Sequence, residues 1–260
     1  MSSDATTKTK VYLITGANRG IGLALVNYLL SNTLNSDIFV YAGVRDITST
    51  VIQTLATQHP GKVDIVEYVA GDVNKNKAIA DRIQKRHGYV DVVIACAGIS
   101  SFLGPTVETP PEAMREHYEV NVIGPLVLFQ ATYNLLKASI KTPKFIPLTT
   151  VGASLTAFID VPLGLTCYGA SKAGLNYLAR RIHFENDWIV CFPLSPGIVK
   201  TDMAISNREM DKTGTLAKMQ DQMQVEPEEA AARLIEVIEG STREKEGGEF
   251  MNVDGSKVAW

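Results

Sequence analysis

The sequence predicts an α/β fold: one doubly wound, mostly parallel sheet of seven strands with helices on both faces. Three observations predict it. Short apolar runs alternate with longer amphipathic stretches along all 260 residues, the order that gives parallel strands joined by crossover helices. No Pro/Gly/Ser-rich linker and no internal repeat interrupts this alternation, so a single domain over 1–260 is expected, with 1–9 flexible. Finally, three glycines follow the first apolar run within seven residues, and other candidate binding residues stand at the ends of later runs. Those ends form the edge where such sheets hold ligands.

Bulk composition narrows the function. Hydrophobic residues are 45% of the chain and charged residues 20%, enough for a substantial core. A net charge of −3 gives no electrostatic reason to expect nucleic acid or an anionic membrane as partner. No apolar run approaches the ~20 residues that span a bilayer, and the first ten residues are polar, without a signal peptide's apolar centre. Cys96, Cys167 and Cys191 are too few and too scattered for a disulfide framework or a zinc site. A reducing, cytoplasmic setting with no metal is expected.

Taken in order, residues 11–15 read as a short buried strand ending at a turn signal. Gly16-Ala17-Asn18-Arg19-Gly20-Ile21-Gly22 follows, then a helical apolar pattern over 23–30. Strand, glycine loop and helix is the context of a nucleotide-phosphate loop. Glycines allow close backbone approach, and the helix N-terminus offers unpaired N–H groups to a pyrophosphate. The spacing is neither G-x-G-x-x-G nor a P-loop. A second strand over 37–44 ends at Arg45-Asp46, beside the adenosine ribose in a dinucleotide fold. An acid there favours the 2′-hydroxyl of NAD and an arginine the 2′-phosphate of NADP. Arg45 and Arg19 therefore point to NADP(H), although Asp46 is placed to pair with Arg45 instead.

A helix over 48–58 and a third strand over 63–69 come next. Gly71-Asp72-Val73 closes that strand where an adenine would lie. A surface helix covers 74–86, and a fourth strand over 90–95 ends in Cys96-Ala97-Gly98, small residues that let the backbone pass close to a ligand. The stretch 110–138 is long and helical, with Asn121 on its buried face. A buried amide needs partners, either main-chain groups or water in a proton path. Gly124-Pro125 should interrupt or kink the helix there.

The fifth strand, 145–149, leads to Thr150 and then Ser154. A loop at 162–166 precedes a helix running to about residue 185, which carries Tyr168 and Lys172 one turn apart on one face. A free tyrosine, with a pKa near ~10, is a poor acid or base at neutral pH. A neighbouring ammonium lowers that pKa and makes the pair suited to proton transfer. A sixth strand over 189–194 leads to Pro196-Gly197-Ile198-Val199-Lys200-Thr201. The stretch 203–225 is polar, methionine-rich and without a period, and reads as a mobile loop or lid. A helix over 226–239 and a strand over 249–253 close the chain. His183, Glu185, Cys167, Trp188 and Trp260 are read as packing residues.

The chain resembles the short-chain dehydrogenase/reductase family along essentially its whole length, and hence a Rossmann fold. Thr15-Gly16-x-x-x-Gly20-Ile21-Gly22 matches that family's cofactor loop, Asp72-Val73 its adenine-side dipeptide and Asn121 its helix asparagine. Tyr168-x-x-x-Lys172 matches its catalytic pair, and Pro196-Gly197-x-Val199-x-Thr201 its nicotinamide-side segment. Finer features, such as Tyr168-Gly169-Ala170-Ser171-Lys172-Ala173 and the closing Asp254-Gly255 to Trp260, resemble the subgroup of norsolorinic acid ketoreductases and sniffer-type carbonyl reductases.

The resemblance implies reduction of a ketone or aldehyde by hydride from NADPH. Tyr168 would donate the proton, and Lys172 would lower the tyrosine pKa and hold the nicotinamide ribose. Asn121 would support a water leading away from Lys172, and a hydroxyl would polarise the carbonyl. The chain departs from the family pattern twice. Cys96 stands where asparagine is usual before Ala97-Gly98. The strand-end hydroxyl is Thr150 instead of serine, with Ser154 as the competing candidate and Thr150 preferred. The substrate pocket should lie between 99–106, 153–166 and 203–225. Phe102, Leu103, Leu155, Phe158, Ile159, Val161, Leu163 and Met203 would make it apolar, for a bulky or aromatic carbonyl. The helices at 110–138 and 168–185 would form a homodimer or homotetramer surface in the family's manner. The rival readings are an NAD-dependent alcohol dehydrogenase and a non-catalytic NADP-sensing regulator.

Overall fold

The computed structural model describes residues 9–31 and 37–260. The flexible start expected over 1–9 therefore lies outside the described residues, except for Thr9, whose carbonyl accepts a 2.6 Å bond from the Tyr89 hydroxyl. The strands of the main sheet are β1 (Lys10–Thr15), β2 (Ile38–Val44), β3 (Val63–Glu67), β4 (Val92–Ala95), β5 (Lys144–Pro147) and β6 (Val190–Cys191). They stand in the order β3-β2-β1-β4-β5-β6, and every pair is parallel. The chain begins at the centre and winds outward both ways, so a crevice opens beyond the ends of β1 and β4.

The helices are α1 (Gly20–Ser31), α2 (Thr50–Gln58), α3 (Val73–Arg86), α4 (Pro111–Tyr118), α5 (Gly124–Lys137), α6 (Thr166–Glu185), α7 (Asp202–Met210), α8 (Thr215–Met223) and α9 (Pro227–Gly240). Successive residues of a strand point to opposite faces, so each central strand feeds two cores. Tyr12 and Ile14 pack with Leu25 and Leu29 of α1, Ile52 of α2 and Leu234 and Ile238 of α9. Val11 and Leu13 pack on the other face with Ile79 and Ile83 of α3, Leu128 and Leu135 of α5 and Ile182 of α6. Burial on both faces explains why the strands read as continuous apolar runs without polar alternation.

The expected seventh strand is present as a separate small sheet. After β6, Pro193 brings no N–H to the ladder, and pairing with β5 stops. The chain resumes as β7 (Leu194–Ser195), which pairs in parallel with β8 (Met251–Asn252) and touches the main sheet through a bridge from Leu194 to Leu148. The stretch 203–225 differs more, because it forms two helices and no open loop. Thr201 caps α7 by accepting from the Ala204 N–H at 3.2 Å. The Asp211 carboxylate organises the turn into α8 by accepting from the N–H groups of Thr213 and Ala217.

The stretch 110–138 is broken where Gly124-Pro125 suggested. Between α4 and α5, residues Glu119–Ile123 form a π-turn, and the Gly124 N–H reaches back to the Glu119 carbonyl. Pro125 donates nothing to the turn before it, so the ladder is free to widen. Among the described residues, no helix is long and apolar enough to cross a membrane, and no group of three or more His, Cys, Asp or Glu is disposed to hold a metal.

Candidate active site

The glycine loop closes on itself after β1. Gly16 takes φ +71°, and a Cβ on Gly22 would lie 2.2 Å from the Gly16 carbonyl oxygen, so a larger residue at 22 forces the loop open. This turn leaves the N-terminus of α1 facing a cleft of about 360 Å³. Fourteen expected residues line it: Gly16, Asn18, Arg19, Gly20, Ile21, Gly22, Arg45, Cys96, Ala97, Gly98, Tyr168, Lys172, Pro196 and Thr201. They come from strand ends far apart in sequence and meet at one edge. The cleft also takes Tyr68, Val69, Ala70, Ile99, Glu116, Val120, Leu148, Thr149, Asp202 and Met203. Of these, only Met203 was singled out from the sequence, and then for the substrate side.

Four expected cofactor residues do not line the cleft. Asp72 caps α3, accepting from the Lys75 N–H at 2.9 Å, and Val73 opens that helix on the surface, 64% exposed. The wall beside them is instead made by Tyr68, Val69 and Ala70, directly after β3. Gly197 supplies a turn at φ +76°, and Val199 is buried, bridged to Val225.

The residues present suit a dinucleotide. Close-packed glycines leave a cradle that a Cβ would fill, helix N–H groups face it, and Arg45 stands at its rim with no carboxylate partner among the described residues. Asp46 does not pair with Arg45; its Oδ1 accepts from the Thr48 N–H at 2.8 Å and hydroxyl at 2.6 Å. Arg19 does have a partner, because its Nη1 lies 3.0 Å from the Asp202 carboxylate.

Tyr168 and Lys172 project from the first turns of α6 into the cleft. The Lys172 Nζ donates to the Leu148 carbonyl at 2.7 Å and stands 5.8 Å from the centre of the Tyr168 ring. The Tyr168 hydroxyl has no protein partner among the described residues. The sequence led us to expect a lowered tyrosine pKa, and the structure gives the opposite direction. Burial pushes the Tyr168 phenol up to about 12, with the neighbouring Cys96 adding to the rise. The same burial draws Lys172 down to about 8. Withdrawing the phenolate from water outweighs the help of an ammonium bonded elsewhere. Tyr168 is therefore a neutral, hydrogen-bearing phenol at pH 7.

Asn121 sits fully buried in the π-turn. Its Oδ1 accepts from the Ile99 N–H at 2.9 Å, and its Nδ2 donates to the Ile99 carbonyl and the Ser171 hydroxyl, both at 3.0 Å. The main-chain partners are thus present. Asn121 ties α6 to the loop after β4, and Ser171 in turn donates to the Tyr168 carbonyl within α6 at 2.8 Å. A Cβ on Gly98 would stand 3.1 Å from Asn121 Oδ1 and 3.4 Å from Lys172 Nζ, so both groups close on this glycine. Where the family's asparagine is replaced by Cys96, the Thr15 hydroxyl accepts from the Ala97 N–H at 3.1 Å and joins the ends of β1 and β4.

A second, apolar cavity of about 710 Å³ is lined in part by Gly169, Ala170 and Ala173 of α6. Leu103, Leu155, Phe158, Ile159, Val161 and Leu163 line it as expected, together with Met210 at the end of α7 and Asp211 to Thr213 between α7 and α8. Phe102 does not line it; its ring lies over Gly104. Met203 faces the cleft. Cleft and cavity share no lining residue, but they adjoin at two points in the chain. Tyr168 lines the cleft and Gly169 the cavity; Thr149 lines the cleft and Gly152 the cavity.

Thr150 lines neither space and lies in the chain between Thr149 of the cleft and Gly152 of the cavity. Its Oγ1 accepts from the Gly152 N–H at 3.2 Å, and its hydroxyl proton has no acceptor among the described residues. Ser154 is differently engaged, accepting from the N–H groups of Thr156 at 3.2 Å and Ala157 at 2.8 Å. Thr149, unremarked in the sequence, donates to Asn176 Oδ1 at 2.6 Å and pins the strand end to α6.

A family model described as short chain dehydrogenase matches residues 10–212. The chain belongs to that family, the short-chain dehydrogenases/reductases, as an oxidoreductase that acts on CH–OH groups with NAD(P). Among its relatives, the norsolorinic acid ketoreductase of Aspergillus parasiticus is 30% identical over 261 residues, covering 99% of this chain and 93% of its own. An NADPH-bound carbonyl reductase from chicken fatty liver superposes with a TM-score of 0.83 at 28% identity, covering 97% of this chain and 100% of that one. The carbonyl reductase Sniffer of D. melanogaster shares the fold, with a TM-score of 0.83 at 21% identity and coverage of 97% and 100%.

Proposed function

We propose that this is a single-domain, NADPH-dependent reductase of bulky apolar or aromatic ketones and aldehydes, with Tyr168 as the proton donor. One observation carries the reading. A cleft suited to a dinucleotide and an apolar cavity suited to such a carbonyl compound take successive residues of α6, Tyr168 in the cleft and Gly169 in the cavity. The cofactor, when bound, supplies the hydride, and the protein supplies binding, orientation and the proton. Tyr168, neutral with an unengaged hydroxyl, gives that proton to the oxygen of the substrate. Thr150 donates its free hydroxyl to the same oxygen as negative charge develops there. Ser154, which accepts two main-chain N–H groups, shapes the cavity wall. Lys172 binds the cofactor's ribose and keeps a positive charge near the phenol. Asn121 holds the Ile99 segment, and the second lone pair of its Oδ1 serves a water next to Lys172.

Arg45 and Arg19 favour the 2′-phosphate of NADP over the 2′-hydroxyl of NAD. Norsolorinic acid ketoreductase and NADPH-bound carbonyl reductase among the relatives support both halves of the reading. The three cysteines are free thiols, which suits a reducing, cytoplasmic setting. Tyr118 and Tyr177, 39% and 69% exposed on α4 and α6, support assembly into a dimer through that face. NADPH consumption with a panel of aromatic ketones, diketones and quinones tests the proposal. Turnover should vanish in Tyr168→Phe while NADPH binding persists; a Tyr168→Phe protein with full ketone-dependent turnover rejects it.

A further inference from the structure

We propose that Asp202 helps determine cofactor specificity by competing with the 2′-phosphate for Arg19. The inference rests on the reading of Arg19 as a phosphate-side cation. Arg19 and Asp202 both line the dinucleotide cleft. Their ion pair, at 3.0 Å, joins the glycine loop on one wall to the first residue of α7 on the other. The walls are close here, since a Cβ on Gly20 would stand 3.1 Å from Thr201 Cγ2. Asp202 is not consumed by capping α7, because Thr201 does that. Its carboxylate sits in the first turn of the helix, where the dipole favours an anion, and Arg19 is its one charged partner among the described residues.

The two arginines of the cleft are therefore unequal. Arg45 meets a ligand with its charge free, and Arg19 meets it already neutralised. A phosphate carrying close to two negative charges can displace a single carboxylate; a ribose hydroxyl cannot. With side chains 59% and 68% exposed, the pair has the modest strength of a solvated contact, which makes it a bias and not a lock. Asp202 lowers the affinity for NADP while leaving NAD little affected, so the chain discriminates less sharply than two free arginines would.

The test is a titration of NADP+ and NAD+ against the wild type, Asp202→Asn, Arg19→Gln and the double variant, at low salt. Asp202→Asn should raise the ratio of NAD+ to NADP+ dissociation constants two- to fivefold, about 0.4–1 kcal/mol. That gain should disappear in the Arg19→Gln background, because the coupling runs through Arg19. An Asp202→Asn protein that binds both cofactors more tightly by the same factor overturns the proposal, since Asp202 would then act on phosphates common to both. An unchanged ratio, with Arg19→Gln still weakening NADP+, overturns the competition alone. An Arg19→Gln protein with wild-type NADP+ affinity removes Arg19 from the phosphate site and the proposal with it.

Discussion

At the scale of single residues, the active-site chemistry turns on two groups whose ordinary pKa values are driven apart by burial. Tyr168, pushed up to about 12, keeps its proton across the whole working range. Lys172, drawn down to about 8, is cationic below that value and neutral above it. If the cation assists proton donation, log(kcat/KM) for carbonyl reduction should be flat up to about pH 8 and then fall with the loss of one proton. A profile that stays flat to pH 10 removes Lys172 from the reaction. Tyr168→Phe should lower kcat by roughly 10²–10⁴. The two hydroxyl candidates separate by their effect on kcat. Thr150→Val should cost about 10²–10³ in kcat, with a loss of about 0.5–2 kcal/mol in stability from the Gly152 cap it also removes. Ser154→Ala frees the N–H groups of exposed Thr156 and half-buried Ala157 to water, and should leave kcat near the wild-type value. The pairing of Tyr168 with Lys172 was legible from their four-residue spacing. The direction of the tyrosine shift was not, because burial is a property of everything packed around α6, and spacing says nothing of it.

At the scale of elements, what the site demands is that loops be held by helices. The π-turn Glu119–Ile123 does this through Asn121, whose amide satisfies both main-chain groups of Ile99 and reaches Ser171 on α6. Asn121→Ala leaves those groups unpaired at about 1–3 kcal/mol each, and for a chain of this size each kcal/mol lowers the midpoint by roughly 2–4 °C. Loss of activity should accompany loss of stability, since Ile99 lines the cleft. Most elements were legible because strands buried on both faces read as apolar runs, and Gly124-Pro125 marked the break after α4. Helices α7 and α8 were not. They are nine residues each, too short for a clear period, and are started by Thr201 and by the turn at Asp211. At Asp72 the pattern had a second meaning: a carboxylate before a helix is equally suited to a ligand and to a cap, and one of its oxygens caps α3.

At the scale of the whole molecule, the sheet gathers strand ends onto one edge, and this convergence made the cofactor side legible, since each motif is weak alone. The substrate side was legible only as apolar character, because its walls are irregular segments whose side chains the pattern cannot orient: Phe102 and Met203 were expected there and face elsewhere. A binding-linked measurement tests the molecule as a unit. NADP+ at a hundred times its dissociation constant should stabilise the fold by about 2.7 kcal/mol, and NAD+ at the same concentration by less; equal thermal shifts count against an NADP preference. The absence of any lining residue common to the cleft and the cavity has a further consequence. Substrate choice and cofactor choice can drift independently. Exchanging Leu155, Phe158 or Ile159 should redraw the range of carbonyl compounds accepted while the dissociation constant for the dinucleotide stays where it was. The scaffold is thus divided into a conservative half and an exploratory half, with Tyr168 and Thr150 on the seam between them.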